Sequence, residues 1–404
     1  MTFPKKLRSW SQIKNLLILT SRYPHKHDSI SASFVYNQIN ELKDRFERIV
    51  IIATTPFVPK ILTTWMQPIR KKDALVENYT YDNIEVYFTK NWILPFNLLK
   101  KYKGIQGYKS SKKILDKIDF KPDIIHSHFS WPSGYIGTKL KEELDVPCIV
   151  TIHENHDWLL EEKNNKEIRK IWKSADALIR VNKLDAQMLK AFNTKTYSIP
   201  NGYNHRKFSY LNKEQSRKKL GLPLNKFITF SLGHLNERKG FQILIESISK
   251  LPLSNRQDLL TIIGGNGPQK QQLNHSIKKN NLEDNIKLIG FIDDDRLSLW
   301  LHASDVFILP SYSEGNPTVM FEALGCGRPF IGTKVGGIPE IIDEDKLGFT
   351  ISPGDSDALS SIILDSIDIK WNESYIRENS KQYTWKNISN QIFKIYKMVY
   401  SEKL

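Results

Sequence analysis

Two glutamates eight positions apart, Glu314 and Glu322, occupy a stretch that reads strand, turn, helix, turn, strand. Asp305 to Pro310 is an apolar run stopped by Pro310. Ser311 to Pro317 carries turn residues, and Thr318 to Leu324 has helical spacing ended by Gly325 and Gly327. A turn that feeds a helix at the end of a buried strand aims free N–H groups and the positive end of the helix dipole at whatever binds there. Glu314 lies in that turn with Gly315, Asn316 and Pro317, and Glu322 is expected about two turns into the helix. Two carboxylates can serve as acid and base on a glycosidic bond. They can equally accept hydrogen bonds from hydroxyls, those of a ribose at Glu322 and those of a sugar at Glu314. A solvated helix face would explain two glutamates as well.

Three glycine-bearing loops follow strands in the same half. Gly233-His-Leu-Asn-Glu-Arg-Lys-Gly240 sets His234, Arg238 and Lys239 between glycines. That suits a clamp on a diphosphate leaving group, and it also suits an ordinary charged loop. Gly264-Gly-Asn-Gly-Pro268, with Gly267, lacks the third glycine of a dinucleotide fingerprint and is no P-loop. Gly336 and Gly337 would let backbone approach a ligand closely, or form a plain tight turn. In the first half, His126, His128, His153 and His156 gather near the ends of two neighbouring strands. Their number invites zinc, but no helical His-Glu-x-x-His and no neighbouring cysteine accompany them. One histidine facing a cleft and bonding a sugar hydroxyl or phosphate is the better expectation.

The elements that must position these residues alternate strand and helix. Strands are expected at Asn15–Thr20, Arg48–Ala53, Ile84–Phe88, Asp123–His126, Pro147–His153, Ala177–Val181 and Lys195–Pro200. A polar, turn-rich run from Pro200 to Pro223 separates them from a second series at Phe227–Ser231, Leu259–Ile263, Ile286–Ile289, Val306–Leu309 and Phe330–Thr333. The fold class is α/β, two Rossmann-like doubly wound domains with parallel sheets facing a central cleft. The domains are expected to run 1–203 and 204–384, followed by an amphipathic helix over 385–404. With 404 residues, two domains of ordinary size are expected.

The chain has 59 Lys and Arg against 44 Asp and Glu, a net charge of +15. Nucleic acid, an anionic membrane or a phosphorylated substrate would suit that balance, as would a Lys-rich wet surface. No basic-aromatic signature of a nucleic-acid module appears, so no nucleic-acid partner is expected. Residues 90–118 hold many lysines among Trp92, Ile93, Leu94 and Phe96, which reads as an interfacial segment on anionic lipid or as an amphipathic helix with a lysine face. Cys148 and Cys326 are too few for a disulfide framework or a metal cage, and a reducing compartment is expected. No apolar run reaches the roughly 18 residues of a membrane span. The start lacks the apolar region of a signal peptide, so a cytoplasmic protein, soluble or peripheral on the inner membrane face, is expected.

Taken together, these stretches resemble the retaining family 4, group 1, nucleotide-sugar glycosyltransferases of GT-B fold. The first half carries Asp123-Ile-Ile-His-Ser-His128, Val150-Thr-Ile-His153, Ala175-Asp-Ala-Leu-Ile and Ile199-Pro-Asn-Gly202. The second carries the paired glutamates at the family's spacing. The resemblance implies transfer of a hexose or N-acetylhexosamine from a UDP- or GDP-sugar to a lipid-linked or polysaccharide acceptor, with no cofactor and no metal. It implies Glu314 on the transferred sugar, Glu322 on the ribose, Lys239 on the diphosphate and His128 near the reacting sugar. Arg238, His234, Gly315, Asn316, Pro317, Gly267, Gly336 and Gly337 would line the donor pocket. His234 stands where the family usually has Arg, and Ala32 or a neighbouring Ser where its first loop has Gly. A GT-B epimerase and an inactive membrane-associated partner subunit are the rival readings.

Overall fold

The computed structural model describes residues 13–26, 28, 31–57, 76–92, 100–343 and 345–403. The apolar runs of the first half form one sheet of strands β1 (Asn15–Thr20), β2 (Arg48–Phe57), β3 (Tyr79–Tyr81), β4 (Ile84–Trp92), β5 (Ile124–His128), β6 (Cys148–Ile152), β7 (Ala177–Arg180) and β8 (Thr196–Ser198). Its order is β3-β4-β2-β1-β5-β6-β7-β8. The second half forms β9 (Phe227–Leu232), β10 (Leu259–Gly264), β11 (Ile286–Gly290), β12 (Val306–Leu309), β13 (Phe330–Thr333) and β14 (Gly348–Ile351), in the order β11-β10-β9-β12-β13-β14. Among the strands of the described residues, every pairing is parallel except one. Tyr79–Tyr81 runs antiparallel to residues Ile84 to Val86 through a two-residue turn at Asp82 and Asn83, which corrects the expectation of a wholly parallel first sheet. A hairpin that short cannot make the crossover a parallel pair needs.

The helices of the first half are α1 (Ser33–Asn40), α2 (Lys100–Lys117), α3 (Tyr135–Leu144), α4 (His156–Glu162), α5 (Lys166–Ser174) and α6 (Lys183–Leu189). Those of the second are α7 (Lys213–Leu220), α8 (Phe241–Lys250), α9 (Leu253–Gln257), α10 (Lys270–Lys279), α11 (Asp294–Ala303), α12 (Thr318–Gly325), α13 (Ile338–Ile341), α14 (Ser356–Asp368), α15 (Glu373–Ser380) and α16 (Trp385–Lys403). Short polar sequences between apolar runs escape a search for periodicity, which is why α4 and α6 were not among the expected elements. Their starts are nevertheless chemical: Asn155 and Asn182 cap them, accepting from the N–H groups of Trp158 and Asp185.

Alternate residues of each central strand enter different cores. Leu16 and Ile18 of β1 join one cluster, Leu17 and Leu19 another on the opposite face. The last helix, α16, belongs to the first of these. Trp385, Ile388, Ile392, Ile395, Tyr396 and Val399 pack there beside Ile49, Ile51 and Ile84. The chain therefore crosses between the halves twice, and the crossings touch. Tyr203 N–H donates to Tyr383 O at 3.0 Å, and Trp385 N–H donates to Tyr203 O at 3.0 Å. Gly202 lies flat on the Trp385 ring, where an added Cβ would stand 2.9 Å from ring carbons.

Strand order reverses between β1 and β5 in one sheet and between β9 and β12 in the other. Open α/β sheets leave a crevice at such a point, outside the carboxyl ends of the strands. His128 ends β5 two residues after His126, Gly233 follows β9, and Ser311 follows β12. The residues singled out for chemistry thus flank both crevices.

Candidate functional site

The turn after β12 is buried: Ser311 is 0% exposed, Ser313 9%, Glu314 6% and Asn316 6%. It is roofed by the loop after β9. Gly240 adopts φ 66° and sits so close to Pro310 that a Cβ would fall 2.0 Å from its carbonyl oxygen. Tyr312 N–H donates to Arg238 O at 2.7 Å, and a guanidinium N–H of Arg238 donates to Ser313 O. This folding brings the two cations onto the carboxylate. Lys239 Nζ lies 2.6 Å from Glu314 Oε1, Arg238 Nη1 lies 3.2 Å from Oε2, and Ser311 Oγ donates to Oε1 at 2.7 Å. Burial alone would raise the Glu314 carboxyl. The ammonium of Lys239 and the guanidinium of Arg238, with hydrogen bonds from Lys239 and Ser311, outweigh it and hold the group below its ordinary range.

Gly336 and Gly337 close this turn from the other side. Gly337 N–H donates to Gly315 O at 2.8 Å, and a Cβ on Gly336 would stand 2.3 Å from Glu314 O. Only glycine permits that approach at φ 54°. Gly267 lies under the β9 loop, its Cβ position 2.3 Å from Leu235 O, while His234 is exposed. Glu322 is four residues into α12, which begins at Thr318, so it sits one turn in rather than two. Its carboxylate has no hydrogen-bond partner among the described residues. Burial pushes it up to about 7, with Lys207 pulling the other way.

Asn316 also bridges to the first half, while its Oδ1 is buried with no partner. Its Nδ2 donates to Val181 O at 2.8 Å, and its own carbonyl accepts from Asn201 Nδ2 at 2.7 Å. Asn182 Nδ2 reaches Gly315 O at 3.5 Å, and Asn155 Nδ2 reaches Ser313 Oγ at 3.4 Å. Glu340 of α13 accepts from Lys183 N–H at 2.7 Å and from Leu184 N–H at 3.1 Å, at the start of α6. The turn that carries Glu314 is therefore a seam between the halves.

On the facing wall, the histidines pair with neighbours instead of gathering on one point. His126 Nδ1 lies 2.6 Å from Tyr396 Oη and its Nε2 lies 2.7 Å from Thr151 Oγ1. His128 Nδ1 lies 3.0 Å from His153 Nε2, the two rings stacked with centroids 5.3 Å apart. His156 Nδ1 lies 2.6 Å from Asp185 Oδ1. Among the described residues no three His, Cys, Asp or Glu side chains gather as a metal ion requires. His128 ends a strand and is fully buried, where the sequence suggested a turn residue. Its Nε2 is buried with no partner. His153 is partly exposed beside Phe34, ring centroids 4.6 Å apart. Burial holds His126 down to about 3, and burial with neighbouring rings holds His128 and His153 well below the usual imidazole range. Ala32, which opens α1 beside this wall, adopts φ 51° and ψ 40°, a conformation that favours glycine.

Sequence reasoning missed Ser311, Asn182, Asp185 and Glu340. Asn182-Lys-Leu-Asp185 carried a legible helix-start signal. Nothing local marked Glu340, whose partners lie more than 150 residues away.

Residues 32–207 match the family described as Glycosyltransferase Family 4, and residues 212–383 match Glycosyl transferases group 1. The chain is 29% identical over 355 residues to the putative teichuronic acid biosynthesis glycosyltransferase TuaC of Bacillus subtilis, covering 86% of this chain and 88% of TuaC. It is 28% identical over 317 residues to UDP-Gal:alpha-D-GlcNAc-diphosphoundecaprenol alpha-1,3-galactosyltransferase of Escherichia coli, covering 74% of this chain and 79% of that one. Among solved structures, HepE of Anabaena in complex with UDP-glucose superposes with a TM-score of 0.71 at 19% identity, over 95% of this chain and 99% of HepE.

Proposed function

The chain belongs to the family 4, group 1 glycosyltransferases of GT-B fold, and from that premise we propose that it moves a hexose or N-acetylhexosamine from a UDP- or GDP-sugar to a hydroxyl, retaining anomeric configuration. The observation that carries this reading is the buried Glu314 paired with Lys239 and the half-exposed Arg238 at the switch point of the second sheet. Two cations and a helix start meet where a diphosphate would have to leave, and such preorganised charge stabilises the developing anion as the glycosidic bond breaks. Glu314 then accepts from hydroxyls of the transferred sugar, and Glu322 from the ribose. His128 lies behind the opposite wall, its Nε2 buried with no partner, and on this reading it supports that wall near the reacting sugar. The cations serve in place of a metal ion. An acceptor in cell-surface glycan synthesis, lipid-linked or polymeric, is supported by the relatives TuaC and the Escherichia coli galactosyltransferase.

The test is nucleotide release from a panel of UDP-, GDP- and ADP-sugars, with and without membrane extract and EDTA. Release that persists in EDTA and is lost in Lys239→Ala and Glu314→Ala supports the reading. Strict metal dependence, or release untouched by both substitutions, overturns it.

Attachment to an anionic inner membrane face belongs to the same proposal. Residues 93–99 of the lysine-rich stretch lie outside the described residues. Within α2, Lys109, Lys113 and Lys117 form an exposed stripe at four-residue spacing. On α5 of the same half, Lys166, Arg169, Lys170 and Lys173 line a surface groove of about 420 Å³. No described helix is long and apolar enough to cross a membrane. Sedimentation with vesicles containing anionic lipid, lost when the α2 stripe is changed to Glu, supports attachment. Unchanged sedimentation removes that stripe as the anchor.

A further inference from the structure

The carboxyl end of β7 grips the second half at two separate places. Asn316 Nδ2 donates to Val181 O at 2.8 Å and Asn182 Nδ2 reaches Gly315 O at 3.5 Å, both on the turn that carries Glu314. The next two residues reach α13 instead. Glu340 Oε1 and Oε2 accept from Lys183 N–H at 2.7 and 2.8 Å, and Oε1 accepts from Leu184 N–H at 3.1 Å. These are the first two N–H groups of α6, and the first N–H groups of a helix have no acceptor within it. An ionised carboxylate makes the stronger kind of hydrogen bond to them.

The three segments close on one another. α13 is tied back to the turn, because Gly337, three residues before Glu340, donates its N–H to Gly315 O at 2.8 Å. Gly337 also lies wedged between Asn316 and Asn182, where an added Cβ would stand 2.3 Å from Asn316 Nδ2 and 3.3 Å from Asn182 Cβ. The β7 end is itself braced. Arg180 is fully buried with its Nη2 2.5 Å from Asp185 Oδ2, and that oxygen also accepts from Asn182 Nδ2 at 2.9 Å. Asp185 N–H in turn donates to Asn182 Oδ1 at 2.8 Å. The turn that carries Glu314 therefore rests on a stiff support in the other half. Of the side chains that cross between the halves here, only that of Glu340 is charged.

Resting on the transfer reading above, we propose that Glu340 is a positioning residue. It latches α13 to the head of α6 and, through Gly337 and Gly315, holds the turn of Glu314 in place for the donor. Glu340 touches neither donor nor acceptor. Without it, the turn is left on its neutral contacts with Val181 and Asn182, and the arrangement that receives the donor is less populated.

Two substitutions cut the latch from opposite sides. Glu340→Ala removes the acceptor. Lys183→Pro removes the N–H that both oxygens share and leaves α6 able to form. Proline suits the first helical position, and Asn182, at φ −143° and ψ 157°, already has the extended backbone that a following proline requires. Lys183→Ala keeps the N–H and is the control. In the ligand-free chain, hydrogen exchange at the Lys183 and Leu184 amides speeds up about three- to tenfold in Glu340→Ala. In nucleotide release from the best donor of the panel, each latch variant raises the donor KM about three- to tenfold with kcat within about twofold. The double variant does no worse than either single one, the mark of one shared contact. A merely structural role would lower Tm and leave KM unmoved. Unchanged exchange, an unchanged KM, effects that multiply in the double variant, or an equal shift in Lys183→Ala overturns the proposal and leaves the transfer reading intact. A wild-type chain that releases nucleotide from no donor overturns the transfer reading, and the positioning role falls with it.

Discussion

The two walls of the cleft are built from the same kind of strand end and are electrically unlike. On the second wall, charge is buried and paired: Glu314 holds two cations, and both partners come from a loop clamped over it. On the first wall, the polar groups of β5 are imidazoles that burial keeps neutral, each tied to a neighbour, and the buried ion pair of Arg180 with Asp185 stands at the end of β7. A buried charge survives only with partners, whereas a buried histidine sheds its proton and needs only hydrogen bonds. The contrast teaches a division of labour. On the proposed reading, the paired cations of one wall receive the leaving anion, and the neutral imidazoles of the other suit hydroxyls.

That contrast breaks most visibly at Lys239. Lys239→Ala should lower kcat/KM for nucleotide release about 100- to 1,000-fold, as loss of a preorganised charge at a leaving group does. Release assays across the donor panel measure it, and a loss under threefold would mean that the charged wall is structural.

Glu322 gives a smaller effect with a sign. Its carboxyl is raised to about 7, so the ligand-free wild-type chain loses stability as pH rises toward and through that value. Glu322→Gln should therefore unfold later than wild type at pH 8, by on the order of 1–2 kcal/mol, and the gain should vanish in acid where wild-type Glu322 is protonated. Nucleotide binding should move the opposite way. Calorimetry should show about tenfold weaker binding in Glu322→Gln, and in wild type a weakening as pH falls below 7, where the ribose hydroxyls lose an ionised acceptor. Pale or absent pH dependence in both would place the ribose elsewhere.

The neutral wall predicts stability changes with little catalytic effect. Tyr396→Phe strips the hydroxyl from His126 and leaves Nδ1 buried without a partner, costing about 1–3 kcal/mol in denaturant unfolding. Nucleotide affinity should be unaffected, since Tyr396 belongs to α16 behind the first sheet. The smallest effect is a gain. Ala32→Gly relieves a left-handed residue at the head of α1 and should stabilise the fold by up to about 1 kcal/mol, net of the extra freedom glycine has when unfolded. Destabilisation there would show that the Ala32 methyl, which packs on the first core, outweighs the backbone.

Much of the fold was legible because its signals are local. Apolar runs of four to ten residues, stopped by Gly, Pro or Asn, mark nearly every central strand, and the turn after β12 announced its glutamate and its helix. The short helices α4 and α6 and the edge strand β3 were not expected, because few apolar residues define them. The glutamate spacing and the Gly233–Gly240 loop pointed to a donor pocket, but the contact of Lys239 and Arg238 with Glu314 itself was not in the pattern. It depends on the β9 loop packing over the β12 turn, 75 residues away.

By itself, then, the sequence determined two parallel α/β halves, the loops that end their strands and the residue types those loops carry. Period and turn chemistry act over a few neighbours and can be read in one dimension. Only the tertiary structure decided that Asn316 bonds Val181, that Glu340 holds the start of α6, that Tyr396 reaches His126 across 270 residues, and that His156 rests on Asp185 at the rim. Those partners are chosen by how two sheets and a returning helix pack, and packing is a property of the assembled core that no local spacing encodes.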